Sequence, residues 1–491
     1  METKLQNQIQ KNNSGRIVYQ STCKYYQLIP GKIMDCLPEI EGMKQIKNIS
    51  GYRRVCFFQI LSIIAFHTRK DKGPAPLMTD LINKEVPQGH EILKALIDVG
   101  IIERSGTPKA GVTSYKYKIS PAWDSRFRVL PLEDPKLSRR LDRLKLQTKK
   151  RTKHPEQNKY IRKLKIDQGA INYIGGIEDT GKHNAALASA VKIMNGDIFY
   201  SVDSTSGRYH SNLTNLPGHL RQFITIEGQH LTNIDLKNSQ PYLSTLLLTD
   251  PGKVSPFAKD RNFSMFTKSL EPVNYEDVKR YTNLVISGRI YEYLMQEFAK
   301  HGMTYTRVEV KRKFFIILFA KNTIVTRERK IFAELFPNVH LRFSEVRGNS
   351  TDKSKFKNSK RLAILLQAVE AHLILGRVLP RIYEDHPGVI AVSIHDSVCT
   401  SIITSDIETV KSVMIQELTD FVRLIPTLKT EKKSTEKNRP MQRLNLDINN
   451  QVREEKKREE EEGKGYREGR DQYVAKTFVI NSKSITCEEY N

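Results

Sequence analysis

Three short stretches hold residues that could do chemistry together. The first, Gln229 to Leu248, reads QHLTNIDLKNSQPYLSTLLL. Its HLTNIDL run alternates, placing Ile234 and Leu236 on one face of a strand and Asp235 on the other. Pro241 suits the first turn of the helix that follows. An acid at the end of a core strand, just before a turn into a helix, is well placed to ligate a metal. Alone it fits a helix cap or a solvated aspartate equally well. The second stretch, Gly388 to Ile403, reads GVIAVSIHDSVCTSII. Two β-branched apolar runs flank His395, Asp396 and Ser397, so a hairpin with the acid at its tip is expected. His395 by itself fits a satisfied turn histidine. Two carboxylates brought together can hold a pair of Mg²⁺ ions about 3.5–4 Å apart. Hard divalent ions with oxygen ligands serve phosphoryl chemistry. The third stretch, Thr306 to Asn322, reads TRVEVKRKFFIILFAKN. Arg307, Lys311, Phe315 and Phe319 recur every fourth residue, a step that drifts only about 40° on a helix, so they share a face. Two cations for phosphates precede two rings for a base, the order a nucleoside triphosphate needs. A core helix with a solvated basic end is the plain alternative.

These stretches need elements to position them, and the chain divides into five regions by pattern. Residues 1–45 read as a polar, irregular segment. Residues 46–125 read as a small domain. Tyr52 to His67 carries an apolar helical stripe, Met78 to Val86 and Gly89 to Val99 read as further helices, and SYKYKIS alternates like a strand. Three helices followed by a hairpin match a winged helix, with His90 to Asp98 as recognition helix and Ser105 to Ser114 as wing. The same fold also hosts protein contacts. Residues 126–190 read as a basic bridge or thumb-like segment. Within it, 136–165 carry thirteen Lys/Arg against Asp142 and Glu156, which suits either a solvated linker or contact with phosphates. Residues 191–430 mix strand-like and helical stretches and hold the chemistry. Residues 431–491 are highly charged and read as a disordered tail or single helix.

Composition narrows the function classes. The 491 residues carry 80 Lys+Arg against 55 Asp+Glu, a formal net charge of +25. Such an excess points to a polyanionic partner, nucleic acid first. A 38% hydrophobic fraction supplies a sizeable core. The apolar stretches Ile60 to Phe66 and Phe314 to Ala320 are too short to span a bilayer, and the first residues show no secretory signal, so no membrane partner and a cytoplasmic location are expected. Five scattered cysteines without a CxxC fit a reducing compartment rather than a zinc module or disulfide scaffold.

In order, the motifs D…RxxxK(x7)F…HDS resemble those of the single-subunit right-hand polymerases: the DNA polymerase I family (family A) and the related phage-type RNA polymerases. Asp235 matches the aspartate of the first palm motif. Arg307, Lys311 and Phe319 match the fingers-helix motif, and His395 with Asp396 the palm hairpin. Gly207-Arg208 and Asn215-Leu216-Pro217 resemble the segment whose arginine contacts the primer end. Arg221-Gln222-Phe223 resembles the run leading into the first motif. Gln367 resembles the glutamine of the helix that tracks the template–primer. The resemblance covers roughly 190–430.

The resemblance implies an α+β fold, a polymerase palm with reduced fingers, preceded here by the winged-helix-like domain. It implies a template-dependent nucleotidyltransferase, most naturally a DNA polymerase of a phage, plasmid or mobile element. Two Mg²⁺ ions would be held by Asp235, Asp396 and the backbone carbonyl of Leu236. Arg307 and Lys311 would hold the triphosphate, with Lys311 also a candidate general acid, and Phe315 and Phe319 would stack the new base pair. Arg208, Asn215 and Gln367 would meet the DNA template–primer, and His395 the substrate. Ser397 stands where the DNA enzymes carry glutamate and many RNA enzymes carry serine. Gln240, where the DNA enzymes carry a glutamate that blocks the ribose 2′-hydroxyl, would act as a gate favouring deoxynucleotides. The alternatives are an RNA polymerase or primer-making enzyme, and a non-catalytic DNA-binding replication initiator.

Overall fold

The computed structural model describes residues 10–11, 17–18, 24–51, 53–67, 73–77, 79–107, 114–147, 153–258, 260–348 and 360–431. The charged tail beyond Glu431 lies outside them, as do the tip of the expected wing and most of residues 1–23.

The N-terminal part departs from the pattern reading. Residues 24–45 are not irregular. Tyr26–Pro30 (β1) is a strand with four buried residues in succession, followed by short helices at Gly31–Asp35 and Leu37–Gly42. Alternation is missing because both faces of β1 are covered, and even its polar Gln27 is buried, donating to the Val55 carbonyl and to Gln59 Oε1. Its partner lies 100 residues away: Tyr26 opposes Pro131 and Pro30 opposes Phe127 on β5. No local signal shows such a pairing.

The next elements are α1 (Arg54–His67), β2 (Ala75–Pro76), α2 (Thr79–Glu85), α3 (Gly89–Asp98), β3 (Ile102–Ser105), β4 (Lys116–Ile119) and β5 (Phe127–Pro131). β2, β4 and β3 form a three-stranded sheet in that order. The solvent face of α3 presents His90, Glu91, Lys94 and Asp98, two acids against one lysine. The basic stretch that follows begins as a helix, α4 (Pro135–Gln147), rather than a linker. Leu137 is buried against Tyr25 and Leu132, while Lys136, Arg139 and Arg143 face solvent. Leucines spaced along a basic run were the available sign of a packed helix.

The part that positions the site is an antiparallel sheet. Its strands are β6 (Leu164–Ile166), β7 (Ile224–Ile226), β8 (Gln229–Leu236), β9 (Ala391–Ile394), β10 (Ser397–Ser401) and β11 (Leu428–Thr430). The order is β9-β10-β8-β7-β6, with β11 also on β8. β8 is central, and Ile234 and Leu236 turn into the core at 0% and 2% exposure. Among the helices packed around it are α5 (Ser239–Ser244), α6 (Ile290–Lys300), α7 (Arg307–Phe319), α8 (Arg327–Leu335), α9 (Pro337–Arg347) and α10 (Arg361–Leu373). The fold mixes helix and sheet throughout, as an α+β chain should. Buried apolar side chains from Leu28 to Val422 form one contiguous cluster, and residues up to Glu431 make one unit. The continuous helical run Arg361–Asp385 is long and apolar enough to cross a membrane by length and composition, which the pattern reading missed because Gln367, Glu370 and His372 interrupt it. Most of that run is buried inside the protein.

Candidate active site

The two aspartates come from segments 161 residues apart, and strand register brings them together. On β8, Asp235 opposes Ser397 of β10. Ile394 of β9 opposes the same Ser397, so His395 and Asp396 form a two-residue hairpin turn beside Asp235. His395 takes the left-handed conformation, φ 57°, that such a turn demands and that histidine tolerates better than most residues. Ser397 Oγ closes the turn by donating to the Ile394 carbonyl at 2.9 Å. Ser397 is therefore part of the turn's own architecture.

The proximity has an electrostatic consequence. Asp235 is pushed up to about 6, first by burial and then by the charge of Asp396, with Lys311 of α7 opposing. So the three residues expected to work together do share one neighbourhood. Glu431 and Lys429 also reach Asp235 electrostatically.

α7 starts where its sequence says it should. Thr306 Oγ1 accepts from the Glu309 amide, and Glu309 Oε2 accepts from the Thr306 amide at 2.7 Å, a full capping box. Along the helix, Arg307 lies over the Tyr291 ring at 5.3 Å, and Lys311 lies over Phe315 at 5.8 Å. Phe315 and Phe319 stack at 5.9 Å and 23°. The cation-to-ring stripe is thus a real surface. Arg307 Nε also donates to Glu292 Oε1 at 2.5 Å.

Two residues that the motifs did not flag complete the cluster. Glu370 of α10 is 2% exposed. It accepts from Arg208 Nη2 at 2.6 Å and Nε at 3.0 Å through Oε1, and from Gln240 Nε2 at 2.5 Å through Oε2. Burial, then the charge of Asp396, pushes its carboxyl up to about 7, against the pull of Arg208. A lone glutamate inside the apolar run LLQAVEAHL was the available sign, since an acid there needs a partner. Tyr291 of α6 is buried, and burial, opposed by Arg307, holds its hydroxyl well above the usual range.

The other expected residues fall as follows. Arg208 is pinned to Glu370. Gln240, 7% exposed, is folded onto Glu370 rather than standing free. Leu236 is in the core with its backbone opposite Leu428. Gln367 is half-buried one turn before Glu370, and Asn215 is exposed at the end of a short helix, Asn212–Asn215. His395 lies 5.8 Å from His210, ring to ring, and burial with the charge of Arg208 holds it below the usual histidine value.

Oxygen-only donors suit a hard divalent cation, and mutual repulsion between Asp235 and Asp396 is what such an ion relieves. Three buried polar atoms near them, Tyr291 OH, Gln240 Oε1 and His395 Nδ1, have no partner among the described residues, as expected of a pocket completed by ligand or water. Among the described residues no group of three or more His, Cys, Asp or Glu could hold a metal by itself. The fit is therefore to ions that take their remaining ligands from water or substrate.

Because the folded state raises Asp235 above its ordinary 3.8, the unfolded chain releases that proton first. Stability falls as pH rises toward 6 and the loss is complete above it. In metal-free protein, Asp235→Asn is expected to gain on the order of 1–2 kcal/mol above pH 7, discounted for partial exposure. The gain should vanish below pH 4. Thermal melts across pH 4–8 measure it, and an equal gain at both ends would contradict the electrostatic cause.

No protein-family model matches the chain, and no curated protein does. Among solved structures, it is similar to the polymerase domain of Pol1 from M. smegmatis in complex with DNA primer-template and dNTP. Identity is 15% and the TM-score 0.28, over 54% of this chain and 55% of that one. The chain thus spans about half the length of that domain, and a likeness this faint carries no weight for fold or activity.

Proposed function

We propose that the chain is a template-dependent nucleotidyltransferase that extends a primer on DNA with deoxynucleotides. The observation that carries this is the meeting of Asp235 and Asp396 at one hairpin, within electrostatic reach of Lys311 on the cation-to-ring face of α7. The order of motifs in the sequence supports the same reading.

Asp235 and Asp396, with the Leu236 carbonyl, would hold Mg²⁺. When bound, such ions supply charge stabilisation for in-line phosphoryl transfer. Arg307 and Lys311 bind and orient the triphosphate, and Lys311 is the candidate to give a proton to the departing pyrophosphate. Phe315 and Phe319 offer a stacked apolar surface to the base. Arg208 meets the primer strand. The net charge of +25 supplies sequence-independent affinity for the duplex.

A second reading, ribonucleotide addition, is favoured by one observation. Gln240 is tied to Glu370 and so does not stand free as a wall against a 2′-hydroxyl. Primer extension with labelled dNTPs or rNTPs, with and without Mg²⁺, tests both. Metal-dependent dNTP incorporation supports the first reading and an rNTP preference the second. No incorporation of either kind would leave the DNA-binding initiator.

A further inference from the structure

Glu370 is expensive for the fold. A carboxylate 2% exposed inside an apolar helix persists only with charged and hydrogen-bonding partners, and apolar replacements of such groups are often no less stable. Packing alone does not account for such a group, so its two partners matter. Both carboxylate oxygens are engaged, one by Arg208 and the other by Gln240. Glu370 is therefore not a free metal ligand or base, and whatever it does it does through those two.

Arg208 is the exposed end of this chain of contacts. Its side chain keeps 22% of its surface. Nε and Nη2 face Glu370, while Nη1 makes no hydrogen bond among the described residues. Its backbone is held as well, the amide donating to Asp203 Oδ2 at 2.9 Å. The guanidinium charge is felt at His395, and Glu370 feels Asp396. So a guanidinium fixed along one edge, its side chain still partly exposed, lies near the hairpin tip. Pinning removes the rotamer freedom that a long exposed arginine would otherwise lose on binding. Gln240, five residues after Asp235, ties the same carboxylate to the helix following β8.

We infer that Glu370 is a positioning residue that sets Arg208 to recognise the recessed 3′ end of a primer strand beside the two aspartates. The inference rests on the proposed nucleotidyltransferase reading. The acceptor is an oxygen or ring nitrogen of the terminal nucleotide, because a guanidinium edge only donates.

The test uses the full chain and two fluorescein-labelled duplexes of equal phosphate count, one with a recessed 3′ end and one blunt, titrated by anisotropy in Ca²⁺ at fixed salt. Wild type should prefer the recessed end by about tenfold, the scale of a lost orienting contact. Glu370→Gln, which keeps shape, and Arg208→Ala should each remove the preference, so that the recessed duplex binds no more tightly than the blunt one to the same variant. Arg208→Ala/Glu370→Gln should lose no more than Arg208→Ala alone, as expected of two residues acting as one unit. Glu370→Leu provides a second variant in case the amide unfolds the site, with folding checked by thermal melting. In steady-state extension the KM for primed DNA should rise in Glu370→Gln while the nucleotide KM stays within about twofold. A purely structural role would move both. Extension by wild type without any recessed-end preference, an intact preference in Glu370→Gln, or additive losses would overturn this inference alone. Absence of Mg²⁺-dependent incorporation by wild type would overturn the nucleotidyltransferase reading and this inference with it.

Discussion

Asp396→Asn is expected to lower nucleotide incorporation by about 10³–10⁴-fold, with Asp235→Asn close behind and the double variant no worse than either. Stabilising developing charge through a held ion is worth several kcal/mol, and each 1.36 kcal/mol is tenfold in rate. Asparagine keeps the shape of both side chains, so the two-residue turn after Ile394 and the pairing of Asp235 with Ser397 persist. It supplies no negative charge for a cation. Duplex affinity should stay within about twofold, because it resides in Lys/Arg contacts spread over the chain. Single-turnover extension gives the first quantity and anisotropy the second. Ten per cent residual incorporation in the double variant would remove these aspartates from the chemistry, whatever the affinity.

Why the aspartates were legible and their surroundings less so follows from how each is encoded. Asp235 sits in a strand and Asp396 in the turn between two others, the alternation or β-branching of these strands is local, and a two-residue turn leaves little freedom in where Asp396 goes. α7 was legible for the same reason: its cap, stripe and length lie within one window. Glu370 belongs to no local pattern. What makes it part of the site is a contact with Arg208 across 162 residues and with Gln240 across 130. A sequence shows such a pairing only as an acid with no evident partner inside an apolar run. β1 went unrecognised because its partner β5 also lies far off, with Tyr26 opposite Pro131. The basic stretch after it was read by charge, while the three leucines Leu137, Leu141 and Leu144, at helical spacing, carried the structural message.

Arg329→Ala is expected to lower stability by about 3–5 kcal/mol, the range for uncovering buried polar groups around a removed charge. α7 must end against something, because its last carbonyls have no partners within the helix. Ala320, its C-cap, covers only the Ile316 carbonyl with its own amide, at 3.0 Å. Two arginines from later helices do the work instead. Arg329 of α8, 3% exposed, donates to the carbonyls of Ile316, Ala320, Lys321 and Ile324 at 2.6–2.9 Å. Arg347 of α9, 1% exposed, donates to those of Ile317 and Leu318 at 2.5 and 3.1 Å. Neither is paired with a carboxylate among the described residues; each positive charge rests on the negative end of the helix dipole. Burial holds both guanidiniums below their usual value, and in Arg347 the charge of Arg329 adds to the effect. Arg329→Lys should recover less than half of the loss, because one ammonium cannot reach carbonyls that a planar fork spans. The loosened last turn carries Phe319, so the nucleotide KM should rise more than the KM for DNA. Urea unfolding with unchanged slope, followed by steady-state kinetics on the folded fraction, measures both effects. A lysine variant as stable as wild type would mean that a point charge suffices and the fork geometry is incidental.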